Sequence, residues 1–312
     1  MTGMDETPRF FCLCMSPAID ATVILPSAPK GAGEIYKDVV EEENVGGKTI
    51  NVARWLALRG ESVVCGGLLG EENDRPFVRE LKRCNITDRF VRISGATRRN
   101  EMIVWPEGSV KLNRAAFPGL DGSSFASSLA DDVFSALSVA AGSVIILSGS
   151  LPPAAPADFY ARAVARFKAA GCTVVLDASG EAMRLALEAG PDLIKPNAEE
   201  CEALVGFVPV APDDFLRATE LLLKKAAHVI ISDGGSGAWF DGSFVPAPHI
   251  DVVDTTAAGD TLLAEYCWRV WGCGQAKDAA RWAVAAGSAA CTMPGGTPPC
   301  TELVERLKGD VG

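Results

Sequence analysis

Short runs of β-branched and aliphatic residues alternate with longer amphipathic or alanine-rich segments along most of this chain. Such runs predict strands, and the longer segments between them predict helices. Strands that alternate with helices usually pair in parallel, so the pattern predicts an α/β fold with a mostly parallel sheet flanked by helices on both faces. The clearest predicted strands are 62–65, 143–147, 173–176 and 228–231, and the clearest predicted helices are 50–59, 157–170 and 213–225.

Two regions, residues 22–45 and 90–110, depart from this alternation. They lack long helical periodicity and contain short alternating pieces such as 34–37 and 102–105. We interpret them as strands outside the main sheet that pair into a small β lid over its carboxyl edge; two surface hairpins would give the same pattern. Because no low-complexity linker divides the chain, we expect a single domain over residues 1–312.

Composition narrows the classes of function. The chain has 312 residues, of which 48% are hydrophobic and 22% charged, enough for a large core. Lys and Arg number 29 against 40 Asp and Glu, a net charge of −11, and no basic stretch stands out, so nucleic acid is not an expected partner. No apolar run approaches the ~20 residues of a membrane span, the first nine residues are polar, and the ten cysteines are scattered. We therefore expect reduced thiols in a cytoplasmic protein that binds no membrane.

The segment 254–261, DTTAAGDT, is the most informative stretch of the chain. Its small residues lead into the apolar start of a helix, and the unpaired N–H groups of a helix N-terminus stabilise a negative charge. The carboxylate of Asp260 stands where those donors converge, which predicts an anion site with a base beside it. Phosphoryl transfer needs such a site, a positioned nucleophile and a metal. An ordinary capped helix start is the alternative, since Asp and Thr are common capping residues.

Residues 46–49, GGKT, end like a phosphate-binding P-loop, but that signature requires a glycine where this chain has Glu42. Three adjacent carboxylates, 41–43, would repel a triphosphate, and no apolar strand is predicted before them. We interpret the glycines as allowing a small ligand to approach the backbone, with Lys48 offering it a positive charge. Asn51, one turn into the following helix, could hydrogen-bond a hydroxyl group.

Polar residues follow several predicted strands, at the edge where parallel α/β sheets bind ligands. Asp20, in a turn after the first strand, could accept hydrogen bonds from sugar hydroxyls or cap the turn. In 195–200, Asn197 and Glu200 could hold a water-rich Mg²⁺ near nucleotide phosphates or form a capping box, and the two roles are compatible. The glycine-rich segment 232–237 could accommodate the base and ribose of a nucleotide.

The predicted lid carries two adjacent arginines, Arg98 and Arg99. A pair of exposed surface charges is the default interpretation. An acidic protein that acts on a phosphorylated substrate nevertheless needs local cations, and a guanidinium binds phosphate in a bidentate fork. Arg98 and Lys48 are therefore candidates for the phosphate of a substrate.

Taken in this order, the motifs resemble the PfkB, or ribokinase-like, family of carbohydrate kinases over residues 10–299. Segment 254–260 resembles the C-terminal signature of that family, and 46–53 resembles its N-terminal signature. The resemblance implies a ribokinase-like α/β fold, with a central mostly parallel sheet, flanking helices and a small β-sheet lid. It is greatest to the branch that acts on hexose phosphates, the 1-phosphofructokinases and tagatose-6-phosphate kinases, in segments 16–20, 97–100, 148–153 and 177–204.

The resemblance also implies an ATP-dependent kinase of a phosphorylated ketohexose and a role for each candidate residue. Asp260 would be the catalytic base, and the transferring phosphoryl group would be bound by the backbone N–H groups of Ala257, Ala258 and Gly259. The sugar would be held by Asp20, Gly47, Lys48 and Asn51, with Lys48 and Arg98 on its existing phosphate. ATP and Mg²⁺ would be held by Lys195, Asn197, Glu200, Ser232, Gly234, Gly235 and Gly237, with Asn197 and Glu200 binding the metal through water.

Three matters stay open in the sequence. Some family members bind a monovalent cation such as K⁺, which here would lie at Asp254, Thr256 and 291–296, and lids from two chains could clasp into a homodimer. Ser16 stands where the branch usually has Asn, and Thr49 where it has a third Gly; we expect both changes to touch the sugar. Two alternative functions remain: phosphorylation of an unphosphorylated sugar or nucleoside, and non-catalytic regulation by a protein that binds a sugar phosphate.

Overall fold

Strands and helices alternate through most of the chain, as the hydrophobic pattern predicts. The structure, a computed structural model, describes residues 9–311 except 32, 34, 38, 118–119, 121–124 and 126. The strands are β1 (Phe10–Cys14), β2 (Ala18–Ile24), β3 (Val40–Gly46), β4 (Val63–Gly70), β5 (Ile86–Ile93), β6 (Arg99–Trp105), β7 (Gly108–Leu112), β8 (Val144–Ser148), β9 (Thr173–Asp177), β10 (Leu193–Ile194), β11 (His228–Ser232), β12 (Gly237–Phe240) and β13 (Ser243–Pro246). The α-helices are α1 (Lys48–Leu58), α2 (Arg75–Arg83), α3 (Ser127–Leu137), α4 (Phe159–Ala169), α5 (Gly180–Leu187), α6 (Glu200–Val205), α7 (Pro212–Leu222), α8 (Ala258–Cys267), α9 (Ala279–Ala290) and α10 (Thr301–Asp310).

Nine strands form the large sheet, in the order β13-β12-β11-β10-β9-β8-β1-β4-β5. The pairs from β11 to β5 are parallel, and β12 with β13 adds an antiparallel hairpin at one edge. Side chains on β1 alternate between two buried clusters, with Phe10 and Cys12 in one and Phe11 and Leu13 in the other. Helices α1, α2 and α8 to α10 complete the first cluster and α3 to α7 the second, so both faces of the sheet are covered.

Four strands form a separate small sheet, in the order β3-β2-β6-β7. Strand β2 pairs antiparallel with β3 and parallel with β6, and β7 returns antiparallel to β6. These strands arise largely from 22–45 and 90–110, the segments interpreted as a lid. Residues 90–93, however, belong to β5 at the edge of the large sheet, where Phe90 is buried. Residues 32, 34 and 38 of the first segment lie outside the described part of the chain.

The strand ends of the large sheet position the polar segments singled out above. Strands β1, β8 and β9 are neighbours and parallel, so the turns that follow them lie at one edge. Helices α1 and α8 pack against each other on one face of the sheet and bring their first turns together at that edge. No helix in the described ranges is long and apolar enough to cross a membrane. All ten cysteines are free thiols, and Cys12 and Cys14 share a face of β1.

Candidate active site

Helix α8 begins at a backbone turn made of small residues. Ala257, the residue before it, adopts the left-handed conformation with a φ of 64°, which is uncommon for residues other than glycine. Among the described residues, the N–H groups of Ala257 and Gly259 have no protein acceptor, whereas that of Ala258 donates to the carbonyl of Thr255 at 3.3 Å. Two of the three predicted donors are therefore free to bind an anion at this helix N-terminus.

Asp260 lies in the first turn of α8 and is only 5% exposed. Its Oδ2 accepts a 2.8 Å hydrogen bond from Nδ2 of Asn51. Burial, and then the charge of Asp177, raises the pKa of Asp260 to about 6. Three neighbours oppose that rise: Asn51, Lys48 and Lys195. The carboxylate is thus mostly ionised at neutral pH and yet has a high proton affinity for an aspartate, which is the combination a general base needs.

Asp177, to which the sequence analysis assigned no role, is the acidic centre of the cleft. It ends β9 and is fully buried, with Oδ1 lying 3.6 Å from Nζ of Lys48 and 3.4 Å from Nζ of Lys195. Among the described residues this Oδ1 has no hydrogen-bond partner. The charge of Asp177, and next those of Asp260 and Glu200, outweigh burial and raise the pKa of Lys48, so the carboxylates of the cleft favour its charged form. The available signal was a carboxylate at the end of a buried parallel strand.

Helix α1 brings the N-terminal motif to the same cleft. Gly47, the residue before it, has a φ of 128°, a region that favours glycine. Lys48 opens the helix and Asn51 follows one turn later, which carries their side chains to Asp177 and Asp260 respectively. The preceding strand, β3, is polar and belongs to the small sheet. The segment is therefore a helix N-terminus beside a ligand cleft and does not have the strand-loop-helix context of a P-loop.

A cavity of about 520 Å³ opens beside the turn before α8. The largely apolar part of its wall comes from residues 247–252, α8 and α9, which the sequence analysis did not place at the nucleotide. An apolar cavity that reaches a helix N-terminus suits a flat base at one end and phosphates at the other. Lys195 is buried against Asp177, and its Nζ would be 3.2 Å from a β-carbon added to Gly259. The cavity is also lined by five residues expected at the nucleotide: Asn197, Ser232, Gly234, Gly235 and Gly237.

Asn197 and Glu200 form a capping box at the start of α6. The N–H of Asn197 donates to Oε2 of Glu200 at 2.9 Å, and the N–H of Glu200 donates to Oδ1 of Asn197 at 2.7 Å. Both acceptors keep lone pairs, so capping leaves them able to receive hydrogen bonds from metal-bound water. In the described part of the chain no three His, Cys, Asp or Glu side chains group as metal ligands. A Mg²⁺ ion here would take its ligands largely from water and phosphates.

The small sheet carries residues expected at the sugar. Asp20 on β2 lies opposite Asn100 on β6 and accepts a 2.8 Å hydrogen bond from its Nδ2. The other carboxylate oxygen of Asp20 lies directly over Gly46, where an added β-carbon would collide with it. Arg98 donates to the carbonyl of Ser16 at 3.1 Å, which holds the guanidinium at the turn between β1 and β2. Asn100 is a candidate for sugar contact that the sequence analysis did not assign.

Comparison with known proteins identifies the family of enzymes to which this chain belongs. The sequence model described as pfkB family carbohydrate kinase matches residues 16–303 of the chain. The chain belongs to the pfkB family of carbohydrate kinases. This kinase is 32% identical over 270 residues to 1-phosphofructokinase from Rhodobacter capsulatus, covering 83% of this chain and 82% of that protein. It is 31% identical over 310 residues to ATP-dependent 6-phosphofructokinase isozyme 2 from Escherichia coli K12, covering 94% and 95%.

The solved structures show the same relationship. The crystal structure of phosphofructokinase-2 from Escherichia coli in complex with potassium matches this kinase with a TM-score of 0.85 and 26% identity. The match covers 97% of this chain and 99% of that chain. The predicted family, the ribokinase-like fold and the class of ATP-dependent sugar kinase are confirmed.

Thr49 of this pfkB kinase faces the large sheet. Its side chain is fully buried, and its hydroxyl donates to the carbonyls of Ser148 at 2.6 Å and Leu13 at 3.2 Å. The expectation that this departure touches the sugar is wrong. Successive helical residues point about 100° apart, so when Lys48 reaches into the cleft the next side chain is turned toward the strand ends.

The turn before α8 is tied to the loop after α9. Oδ1 of Asp254 accepts hydrogen bonds from the N–H and the hydroxyl of Thr256 at 2.8 and 2.7 Å, and Oδ2 accepts one from the N–H of Gly295 at 2.9 Å. Burial alone would raise the pKa of Asp254, but these hydrogen bonds outweigh it and hold the pKa below its ordinary value. A carboxylate whose charged form is favoured thus lies where the monovalent cation was predicted.

Proposed function

We propose that this kinase transfers the terminal phosphoryl group of ATP to a hydroxyl group of a phosphorylated ketohexose. The observation that carries the proposal is the position of Asp260. Asp260 directly follows Gly259, which has a free N–H group and lines the apolar cavity, and its buried carboxylate accepts a hydrogen bond from Asn51 of the N-terminal motif. A base, an anion site and a nucleotide-sized cavity therefore meet at one point, as phosphoryl transfer requires.

In this proposal each group has a chemical role. The ionised carboxylate of Asp260 accepts the proton of the attacking sugar hydroxyl, and its raised pKa of about 6 favours that transfer. The free N–H groups of Ala257 and Gly259 stabilise the charge on the transferring phosphoryl oxygens. The ammonium groups of Lys48 and Lys195, which lie against Asp177, add positive charge beside the reacting atoms.

Two cations fit this cleft. Mg²⁺ would be held through water by Asn197 and Glu200, whose oxygens keep lone pairs beside their capping hydrogen bonds. When bound, Mg²⁺ neutralises charge on the phosphates of the nucleotide. A monovalent cation such as K⁺ would lie at the charged Asp254 and the carbonyl groups of the 291–296 loop, in line with the potassium complex of the E. coli relative.

The substrate follows from the relatives and from the cations of the lid. The relatives are named as kinases of fructose 1-phosphate and fructose 6-phosphate. Arg98 offers a fixed guanidinium for the existing phosphate, and Asp20 with Asn100 offers acceptors and donors for hydroxyl groups. Initial rates of ADP formation with fructose 1-phosphate, fructose 6-phosphate, tagatose 6-phosphate and free fructose test this proposal. Faster turnover of free fructose than of the three esters would overturn it.

A homodimer through the small sheet belongs to the same proposal. Ile24, Val40, Val110 and Leu112 of that sheet are each more than two-fifths exposed. Apolar residues at sheet edges favour pairing with another chain. Analytical ultracentrifugation should give twice the chain mass, and a Val110→Lys/Leu112→Lys variant should give the chain mass. A monomeric unaltered protein would contradict the proposed dimer.

A further inference from the structure

A line of hydrogen bonds leads from α2 to the carboxylate of Asp260. Nε of Arg54 donates to Oε1 of Glu80 at 2.7 Å, and Nη1 of Arg54 donates to Oδ1 of Asn51 at 3.4 Å. Nδ2 of Asn51 in turn donates to Oδ2 of Asp260 at 2.8 Å. Arg54 is 9% exposed and, together with Glu80, lines a cavity of about 480 Å³. Asn51 and Arg54 are three residues apart on α1, a spacing at which helical side chains are neighbours.

We propose that Arg54 is a positioning residue for the base: it orients the side-chain amide of Asn51 so that an N–H group faces Asp260. The proposal rests on the assignment of Asp260 as the base. An amide oxygen only accepts and an amide nitrogen only donates, whereas a guanidinium only donates. The atom of Asn51 that faces Arg54 is therefore the oxygen, which leaves the nitrogen for the carboxylate.

Glu80 anchors Arg54 in this arrangement. It also accepts two hydrogen bonds from Arg83, both at 2.8 Å. The hydrogen bond from Arg83, and next the charge of Arg54, outweigh burial and lower the pKa of Glu80 to about 2, so the anchor is charged wherever the enzyme works. On the other side of the amide, a β-carbon added to Gly296 would lie 3.7 Å from Oδ1 of Asn51. Gly296 thus leaves room beside the amide oxygen.

The orientation of this amide sets the proton affinity of the base. A donated N–H stabilises the ionised carboxylate and lowers its pKa. Without Arg54 only the carboxylate of Asp260 holds the amide of Asn51 in this orientation, so the amide is less firmly placed and its hydrogen bond to the ionised base weakens. The pKa of Asp260 would rise, and a larger share of the enzyme would hold a protonated base that cannot accept the sugar proton.

The pH profile of kcat/KM for one sugar phosphate tests this role in Arg54→Met and Arg54→Lys. For Arg54→Met we expect the acid limb to move up by about one pH unit, with roughly a fivefold loss at pH 6 and almost none at pH 8. Arg54→Lys keeps a cationic donor and should move the limb less. Because every variant receives the same substrate, the titration of the substrate phosphate is common to all profiles and cancels from the shift.

Arg83→Gln is the matched control, because it removes the exposed partner of Glu80 and leaves Arg54 in place. It should leave the acid limb where it is in the unaltered protein. A uniform loss of activity in Arg54→Met with an unmoved limb would indicate a merely structural role and overturn the proposal. Should Arg54→Met fail to fold, Glu80→Gln and Arg54→Lys provide the same test, and an unmoved limb in both would overturn it.

A second readout does not depend on turnover. In protein labelled with ¹³C at the aspartate carboxyl groups, the resonance absent from Asp260→Asn identifies Asp260, and its titration gives the pKa directly. The pKa should be higher in Arg54→Met than in unaltered protein and unchanged in Arg83→Gln. If the unaltered protein phosphorylates no sugar, the proposed function fails, while an equal pKa in Arg54→Met and unaltered protein would reject the positioning role itself.

Discussion

The side-chain amide of Asn51 donates a 2.8 Å hydrogen bond to the carboxylate of Asp260, 209 positions later in the chain. The contact forms because α1 and α8 pack side by side on one face of the large sheet. It joins the glycine-rich segment 46–51 to the small-residue turn 254–260 in one site. A residue expected to hold the sugar thus also holds the proposed base, which links substrate binding to the orientation of the carboxylate.

Because the hydroxyl of Thr49 is buried, we predict that its removal lowers the stability of the fold and leaves substrate binding unchanged. Thr49→Val keeps the branched shape but leaves the carbonyls of Ser148 and Leu13 without this donor. We expect the free energy of unfolding, measured by urea titration, to fall by about 1–2 kcal/mol, with the KM for the sugar within about twofold, below the roughly tenfold that one lost contact produces. Thr49→Ser retains the hydroxyl and is the matched control. A large rise in the sugar KM of Thr49→Ser, with unchanged stability, would show that this side chain serves the sugar after all.

The alternation of strands and helices could be predicted from sequence because the pattern is local. Runs such as 144–147 are buried on both faces of the sheet and so lack polar positions, which indicates a central parallel strand. The boundary of the small sheet was harder to predict. Residues 90–93 carry no local signal that assigns them to the large sheet, and their place depends on pairing with β4.

The candidate site was predictable to the extent that single segments carry their own chemistry. The turn at 254–260 and the lysine at position 48 could be recognised in isolation. Asp177 carried only its place at the end of a buried strand as a signal, because its importance arises from Lys48 and Lys195, which reach it from α1 and from the end of β10. Likewise, the direction of Thr49 depends on how α1 docks on the sheet, which no local pattern records.

Arg98 and its neighbour Arg99 provide a matched pair for testing recognition of the substrate phosphate. Arg98 is held at the turn between β1 and β2, whereas Arg99 forms ion pairs with Glu41 and Glu43 on the small sheet. We expect Arg98→Ala to raise the KM for a sugar phosphate roughly 10- to 100-fold, since a charge-assisted hydrogen bond is lost. The KM for ATP should hardly change, and Arg99→Ala should leave both constants near those of the unaltered protein.

Steady-state kinetics of Arg98→Ala and Arg99→Ala test whether Arg98 binds the substrate phosphate. If Arg98→Ala raised the KM equally for a sugar phosphate and for its unphosphorylated counterpart, this guanidinium would not bind the phosphate. The kinase would then rely on other cations of the cleft, or would act on an unphosphorylated sugar.

The raised pKa of Asp260 predicts that its ionised carboxylate destabilises the folded protein. Because burial raises this pKa from 3.8 to about 6, the folded state binds the proton more tightly than the unfolded chain. The contribution of the group to stability therefore falls as pH rises from about 4 through 6, by roughly 3 kcal/mol in total. Asp260→Asn should raise the Tm at pH 8 and leave it nearly unchanged at pH 4.

Asp254→Asn is the control of opposite sign for this measurement. Its carboxylate has a lowered pKa, held by hydrogen bonds from Thr256 and Gly295. The ionised form of Asp254 therefore stabilises the fold at pH 8, and its replacement should lower the Tm there. A Tm for Asp260→Asn at or below that of unaltered protein at pH 8 would contradict the account of a base whose ionised form is destabilised by burial.

The turnover of Asp260→Asn with the best sugar phosphate tests the central claim most directly. The amide keeps the size of the side chain but cannot accept the hydroxyl proton, so we expect kcat to fall by about 10³-fold. The dissociation constant of the sugar, measured by calorimetry, should stay within about threefold, because the role of the base is confined to the transition state. A kcat within tenfold of the unaltered enzyme would contradict the claim that Asp260 is the base of this kinase.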